Sequence, residues 1–137
     1  MERTLVLIKP DAVKQMVAGE IIAYYEKNNL TIEQMKFIHA TESLLRKHYE
    51  EHLSRDFYAE LEAFMMSGPI IALCLSSEEA VEAVRDMNGA TNPCKARYGT
   101  IRHMYGKSVQ SNAVHGSADL EQAKREIGIW FGDDGSR

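Results

Sequence analysis

The stretch that most constrains this chain is Pro69-Ile70-Ile71-Ala72-Leu73-Cys74-Leu75, an unbroken apolar run bounded by Ser67-Gly68 and by Ser76-Ser77. A run of that length without alternation predicts a central strand buried on both faces. A second such run, Leu5-Val6-Leu7-Ile8, predicts a buried strand over residues 3–9. Pro10 stops it, and Asp11 is expected to cap the helix after it. Ile21, Ile22 and Tyr25 recur at helical spacing until Asn28-Asn29. Residues 31–40 alternate Met35, Phe37 and His39 with Lys36 and Ile38, which is the period of a strand.

Leu44, Leu45, His48, Tyr49 and His52 then form a helical stripe. Phe57, Leu61, Phe64 and Met65 form a second, short one, broken at Ser67-Gly68-Pro69. After the central strand, Ser76-Ser77-Glu78-Glu79 fits a capping box with Ser76 as cap. The helix it opens is expected to bury Ala80, Val81, Val84 and Met87 and to end at Gly89. Residues 90–111 show no periodicity and read as a long irregular loop. Residues 112–115 suit a strand end before Gly116. Asp119 caps a last helix, with Gln122 at its third position and Leu120, Ala123, Ile127 and Trp130 as its core face. Without the inserted helix pair and the loop, the order is βαββαβ. That order predicts an α+β sandwich of the ferredoxin-like type, with a four-stranded antiparallel sheet.

At 137 residues, with 45% apolar and 26% charged residues, the chain is expected to form a single domain over residues 1–137 with its own core. It carries no apolar run near the ~20 residues needed to span a bilayer and no leader-like start, so no membrane partner is expected. Cys74 sits in an apolar run and Cys94 in a loop, without metal-type spacing. A reduced, cytoplasmic setting is the simplest account.

The formal net charge is -4, yet from Met87 to Ala118 there is no acidic residue. That stretch holds Lys95, Arg97, Arg102 and Lys107, with Arg85 just before it. A basic segment in an acidic chain implies an anionic ligand, and the net charge argues against specific nucleic-acid binding. The segment ends in Asn112-Ala113-Val114-His115-Gly116-Ser117, where a histidine is followed at once by residues that admit close backbone approach and offer a hydroxyl. An imidazole held by a carboxylate becomes a better nucleophile or base. Glu126 lies at the edge of the last helix's buried face. By spacing it is equally a partner for that imidazole or a half-solvated ion pair with Lys124 or Arg125. Lys9 stands at the carboxyl end of the first strand, where an ammonium suits a phosphate oxygen. His39, His48, His52 and His103 have no metal-site spacing. The glycine-rich nucleotide cradles are absent, so any phosphates must be held by side chains.

Taken with Ile8-Lys9-Pro10-Asp11, Ser67-Gly68-Pro69, Gly89-Ala90-Thr91-Asn92-Pro93, Gly99-Thr100-Ile101-Arg102 and Arg125-Glu126-Ile127, the histidine segment gives several motifs in fixed order. On these, the chain resembles the nucleoside diphosphate kinases over nearly its whole length. The resemblance implies reversible γ-phosphate transfer from a nucleoside triphosphate to a diphosphate. The route would be ping-pong, through a phosphohistidine on the pros nitrogen of His115. It implies Mg2+ on the nucleotide phosphates with no metal held by the protein alone. By the same likeness Ser117 and Glu126 orient His115. Lys9, Tyr49, Arg85, Thr91 and Arg102 hold phosphates, Lys9 and Asn112 hold the ribose hydroxyls, and Phe57 stacks on the base. A homo-oligomer, tetramer or hexamer, is implied. A non-catalytic nucleotide-binding regulator is the alternative. Two residues depart from the family pattern: Ala118 stands where an acidic residue usually follows the serine, and Tyr98 where many relatives have proline.

Overall fold

The computed structural model describes residues 1–132. In chain order the elements are β1 (Glu2–Ile8), α1 (Pro10–Lys14), α2 (Ala18–Lys27), β2 (Thr31–Ile38), α3 (Glu42–His48), a 3-10 turn (Glu50–His52) and α4 (Tyr58–Met65). They continue with β3 (Ile70–Ser77), α5 (Ala80–Asn88), a 3-10 turn (Pro93–Lys95), α6 (Ile101–Tyr105), β4 (Val114–Gly116) and α7 (Leu120–Phe131). The strands form one sheet in the order β2-β3-β1-β4, every neighbouring pair antiparallel. This is the expected ferredoxin-like arrangement.

The two unbroken apolar runs are the two central strands, and their side chains alternate between two cores. Val6, Ile8, Leu73 and Leu75 pack with Ile21, Tyr25, Val84 and Ile101 on one face. Leu5, Leu7, Ala72 and Cys74 pack with Leu45, Met65, Ile127 and Trp130 on the other. Each fully buried Leu or Ile contributes roughly 1.5–3 kcal/mol. That packing, more than local preference, holds the three-residue strand β4 at the edge. No helix among the described residues is long and apolar enough to cross a membrane.

Several expectations are corrected. Ser76 does not cap α5. Strand β3 runs on through Ser77, the helix starts at Ala80, and the Ser76 hydroxyl donates to Glu33 Oε2 at 2.7 Å. The helix end is met instead from β1, because the Val81 N–H donates to Glu2 Oε1. Asp11 is not a cap either. Lys9 occupies that position, Pro10 is the first helical residue, and the Asp11 carboxylate accepts the Ala113 N–H at 3.0 Å. Strand β2 is shorter than expected and irregular between Ile32 and Gln34, and it forms a sheet edge. The 90–111 segment is not structureless: Thr100 caps α6 through its hydroxyl, and Asn92 caps a 3-10 turn. Leu120 is exposed rather than core. Asp119 caps α7 as expected, its Oδ1 accepting the Gln122 N–H at 2.8 Å, so Ala118 leaves the helix start intact.

Candidate active site

The strand end at β4, the loop after β1, the C-terminus of α5 and the turn after α3 converge on a cleft of about 400 Å³. Lys9, Tyr49, Phe57, Arg85, Thr91, Arg102, Asn112 and His115 all line it. Ser117 and Glu126 stand behind His115, buried. Every residue that the resemblance assigns to the site is therefore in or directly behind one cleft. Of the basic loop residues, however, only Arg102 lines it; Lys95, Arg97 and Lys107 are exposed elsewhere.

His115 Nε2 lies 2.9 Å from Glu126 Oε1, and Ser117 Oγ donates to the same oxygen at 2.7 Å. Ser117 Oγ in turn accepts the Leu5 N–H, which ties the hydroxyl to β1. Burial pushes the Glu126 carboxyl up, but the hydrogen bond and charge of His115 outweigh it and hold the group well below the usual range. An ionised carboxylate only accepts, so Nε2 carries the proton and Nδ1 keeps its lone pair. Spacing left Glu126 with two possible partners, and Arg125 removes one. Its guanidinium is committed to the Lys47 and His48 carbonyls at the end of α3 and to Gln122.

His48, which spacing did not mark, packs edge-on against His115 with ring centroids 4.6 Å apart. Its Nδ1 accepts the Trp130 indole N–H at 3.0 Å. Burial lowers its pKa to about 3, so it is a neutral wall beside the His115 ring. His48, His115 and Glu126 bring potential metal ligands within 4.8 Å of one another. A metal does not suit them. Indole can only donate, so His48 Nδ1 is the acceptor and its Nε2 bears the proton, leaving no lone pair.

Lys9 Nζ donates to Asn112 Oδ1 at 2.8 Å and to the Gln110 carbonyl, and Asn112 Nδ2 donates to the Thr91 carbonyl. Burial lowers the Lys9 pKa, Asp11 opposes this and Arg102 adds to it, leaving about 8. The loop before β4 is pinned by Asp11 and by the Lys9 N–H, which donates to the Ala113 carbonyl. Ala113 has φ 74°, a left-handed conformation costing ~1–3 kcal/mol that the two bonds offset. Arg102 donates from Nη1 to the Gly89 carbonyl at 2.7 Å and from Nη2 to the Val114 carbonyl at 2.8 Å. Gly89 has φ 86°, and a Cβ there would lie 2.5 Å from Thr100 Oγ1, so only glycine serves. Phe57 is 48% exposed and lines the cleft together with the apolar Leu61 and Val109. Val109 carried no signal in the sequence, because it sits in a loop without periodicity.

The cleft thus combines a nucleophilic nitrogen, three cationic side chains and an apolar mouth, with no Asp or Glu in its lining. The sequence model of the family described as nucleoside diphosphate kinase matches residues 2–135. The nucleoside diphosphate kinase of Cutibacterium acnes is 50% identical over 130 residues, covering 95% of this chain and 94% of that protein. That of Thermoanaerobacter pseudethanolicus is 47% identical, covering 96% and 97%. Among solved structures, the nucleoside diphosphate kinase of Encephalitozoon cuniculi superposes with a TM-score of 0.95 at 40% identity, covering 98% of this chain and 91% of that one. The Aquifex aeolicus enzyme gives 0.92 at 34% identity, covering 96% of each.

Proposed function

This chain belongs to the nucleoside diphosphate kinase family, and from that premise we propose that its single domain transfers the γ-phosphate of a nucleoside triphosphate to a diphosphate through His115. The observation that carries the residue assignment is the His115–Glu126–Ser117 chain, which engages Nε2 and leaves Nδ1 free on a residue that lines the cleft. Nδ1 attacks the γ-phosphorus, the bond from that phosphorus to the bridging oxygen breaks, and the diphosphate leaves. A second diphosphate then takes the phosphoryl group by the reverse path. Glu126 keeps the Nε2 proton in place and offsets the positive charge that the ring acquires as the N–P bond forms. Lys9, Arg85 and Arg102 stabilise charge on the transferring oxygens, with Thr91 and Tyr49 as further phosphate partners. Lys9 and Asn112, already joined, hold the ribose hydroxyls.

Mg2+ fits this site only through the nucleotide. Among the described residues the cleft lining offers no carboxylate, Glu126 is committed to His115 and Ser117, and Asp11, outside that lining, gives Oδ2 to Ala113 and has a buried Oδ1. Brought in with the nucleotide, the ion would neutralise part of the phosphate charge. The non-catalytic alternative finds no support, since the nucleophile and both its supports are present and connected. Incubation with γ-labelled ATP tests the route: acid-labile, base-stable label must appear on the protein and leave on addition of any nucleoside diphosphate.

We place self-association on edge strand β2, where Met35 and Phe37 are 57% and 66% exposed along an unpaired edge. A cytoplasmic setting agrees with the exposed free thiol of Cys94.

Base identity is expected to matter little. The mouth offers the Phe57 face, Leu61 and Val109, which suit stacking. Phe57→Ala weakens all nucleotides alike, by roughly 1–3 kcal/mol. Catalytic efficiencies for adenine, guanine, cytosine and uracil diphosphates, measured side by side, are the check. A preference of about a thousandfold for one base, some 4 kcal/mol, rules out a stacking site.

Nucleotide affinity should fall with rising pH. In the free protein Lys9 loses its proton near pH 8. A bound polyphosphate, itself fully ionised there, favours the ammonium. Above that pH, binding therefore takes up a proton, and Kd rises by up to about tenfold per unit until the bound-state pKa is passed. Calorimetry of ADP binding in buffers of different ionisation enthalpy reads the uptake. Lys9→Arg abolishes it, and a flat affinity from about pH 7 to 9.5 in the unmodified protein removes Lys9 from the phosphate site.

A further inference from the structure

We propose that Asn88 is an additional phosphate-binding residue of this cleft, its side-chain amide locked by Tyr25 so that Nδ2 donates to an oxygen of the bound nucleotide's phosphates. The proposal rests on the nucleotide kinase reading above and adds a residue that the family motifs do not mark.

Asn88 is the last residue of α5, one turn beyond Arg85 and directly before Gly89, and it lines the same cleft. It is only 1% exposed. Its Oδ1 accepts the Tyr25 hydroxyl at 2.6 Å. Tyr25 is fully buried in the core, and burial pushes its phenol pKa upward, so a proton is always there to donate. That bond orients the amide and turns Nδ2 away from Tyr25. Nδ2 takes no acceptor among the described residues. Its direction is marked by Gly116, where a Cβ would stand 2.8 Å from it. The nitrogen therefore lies against the backbone next to His115.

Nearly all polar groups in folded proteins find a partner, and an amide donor in a cleft wall takes it from water or from a ligand. Asn88 lines the cleft, so a ligand bound there supplies the acceptor in place of water. The neighbours there are Lys9, Arg85 and Arg102, which select an anion. An amide adds a donor to that set without adding a fourth mutually repelling charge. The reverse orientation would set a carbonyl oxygen towards the phosphates; with Oδ1 accepting from Tyr25, it is Nδ2 that is left for them.

Two variants test the idea through ADP affinity, the rate of His115 phosphorylation by ATP, and Tm. Asn88→Asp keeps the volume and the acceptor for Tyr25 but replaces the donor by an oxygen. It should bind ADP at least tenfold more weakly, the worth of about one hydrogen bond to a charged oxygen. The double variant Asn88→Leu/Tyr25→Phe removes the polar pair together and adds no charge. It should keep a Tm near that of the unmodified protein yet still lose about tenfold in ADP affinity. ADP binding by the double variant within about twofold of the unmodified protein overturns the proposal and makes Asn88 an interior partner of Tyr25 alone. Should the double variant not fold, Asn88→Asp decides: affinity equal to the unmodified protein's overturns the contact. Absence of any phosphohistidine in the unmodified protein sinks the kinase reading instead, and ADP affinity still reports on Asn88.

Discussion

His115→Ala abolishes phosphoryl transfer and leaves the protein folded. The ring lies at the cleft wall, only half-buried, and its loss frees one acceptor position on Glu126 while Ser117 still donates to that oxygen. The expected stability change is about 1–2 kcal/mol, the range for one hydrogen bond to a charged group. The chemical change is of another order. No substitute nucleophile is poised: the Ser117 hydroxyl is fully buried, and its neighbouring carboxylate is held at about 2, far too weak a base to activate an alcohol at neutral pH. Turnover should drop by roughly 10⁴-fold or more. Steady-state rates beside circular dichroism and Tm check both halves. A folded variant keeping more than about 1% of turnover ends the phosphohistidine route through this residue.

Arg102→Ala comes next in size, and it acts twice. The guanidinium holds the Gly89 and Val114 carbonyls from two different nitrogens, joining the end of α5 to β4. Each of those nitrogens has a second hydrogen, which can serve a phosphate at the same time. Truncation is expected to cost about 2–4 kcal/mol of transition-state stabilisation, as for loss of one preorganised donor. It also leaves two carbonyls without their partner, at ~1–3 kcal/mol of folding stability each where they are dry. Arg102→Lys recovers charge but not the span between two carbonyls, so it restores little. Arg97→Ala, exposed and outside the cleft, should change either quantity by no more than ~0.5 kcal/mol. Values of kcat/KM and Tm for the three variants give the answer. Equal losses at 97 and 102 mean that the assignment of roles within this loop is wrong.

The elements legible in the sequence are those whose signal is local. Residues 5–8 and 70–75 are apolar without a break because both faces of a central strand are covered. Asp119 and Gln122 mark the start of α7 because a side-chain cap acts across three residues. Where the local signal is ambiguous, the pattern misleads. Ser76-Ser77-Glu78-Glu79 has the form of a capping box, but Ser77 still pairs with Glu2 in the sheet, and the ladder outweighs a cap worth ~1 kcal/mol. Helix α6 is five residues long, too short for any periodicity to show. Leu120 sits at the first position of α7, before the helix reaches the core.

For the site, motif resemblance named the residues around the cleft, and nothing in spacing alone could rank them. Arg85, Lys9 and Arg102 converge from three elements far apart in the chain. Tyr25 reaches Asn88 across 63 positions, and His48 reaches His115 across a similar span. Neither pair has a sequence signature.

By itself the sequence determined the central strands, the capped last helix, the antiparallel order and the family, because apolar period, capping and motif order act over a few residues. Only the tertiary structure decided which nitrogen of His115 is free, that Glu126 serves the imidazole rather than Arg125, that Arg102 alone of the loop cations enters the cleft, and where the Asn88 amide points. Those are matters of hydrogen-bond direction between distant segments, and direction exists only once the chain is packed.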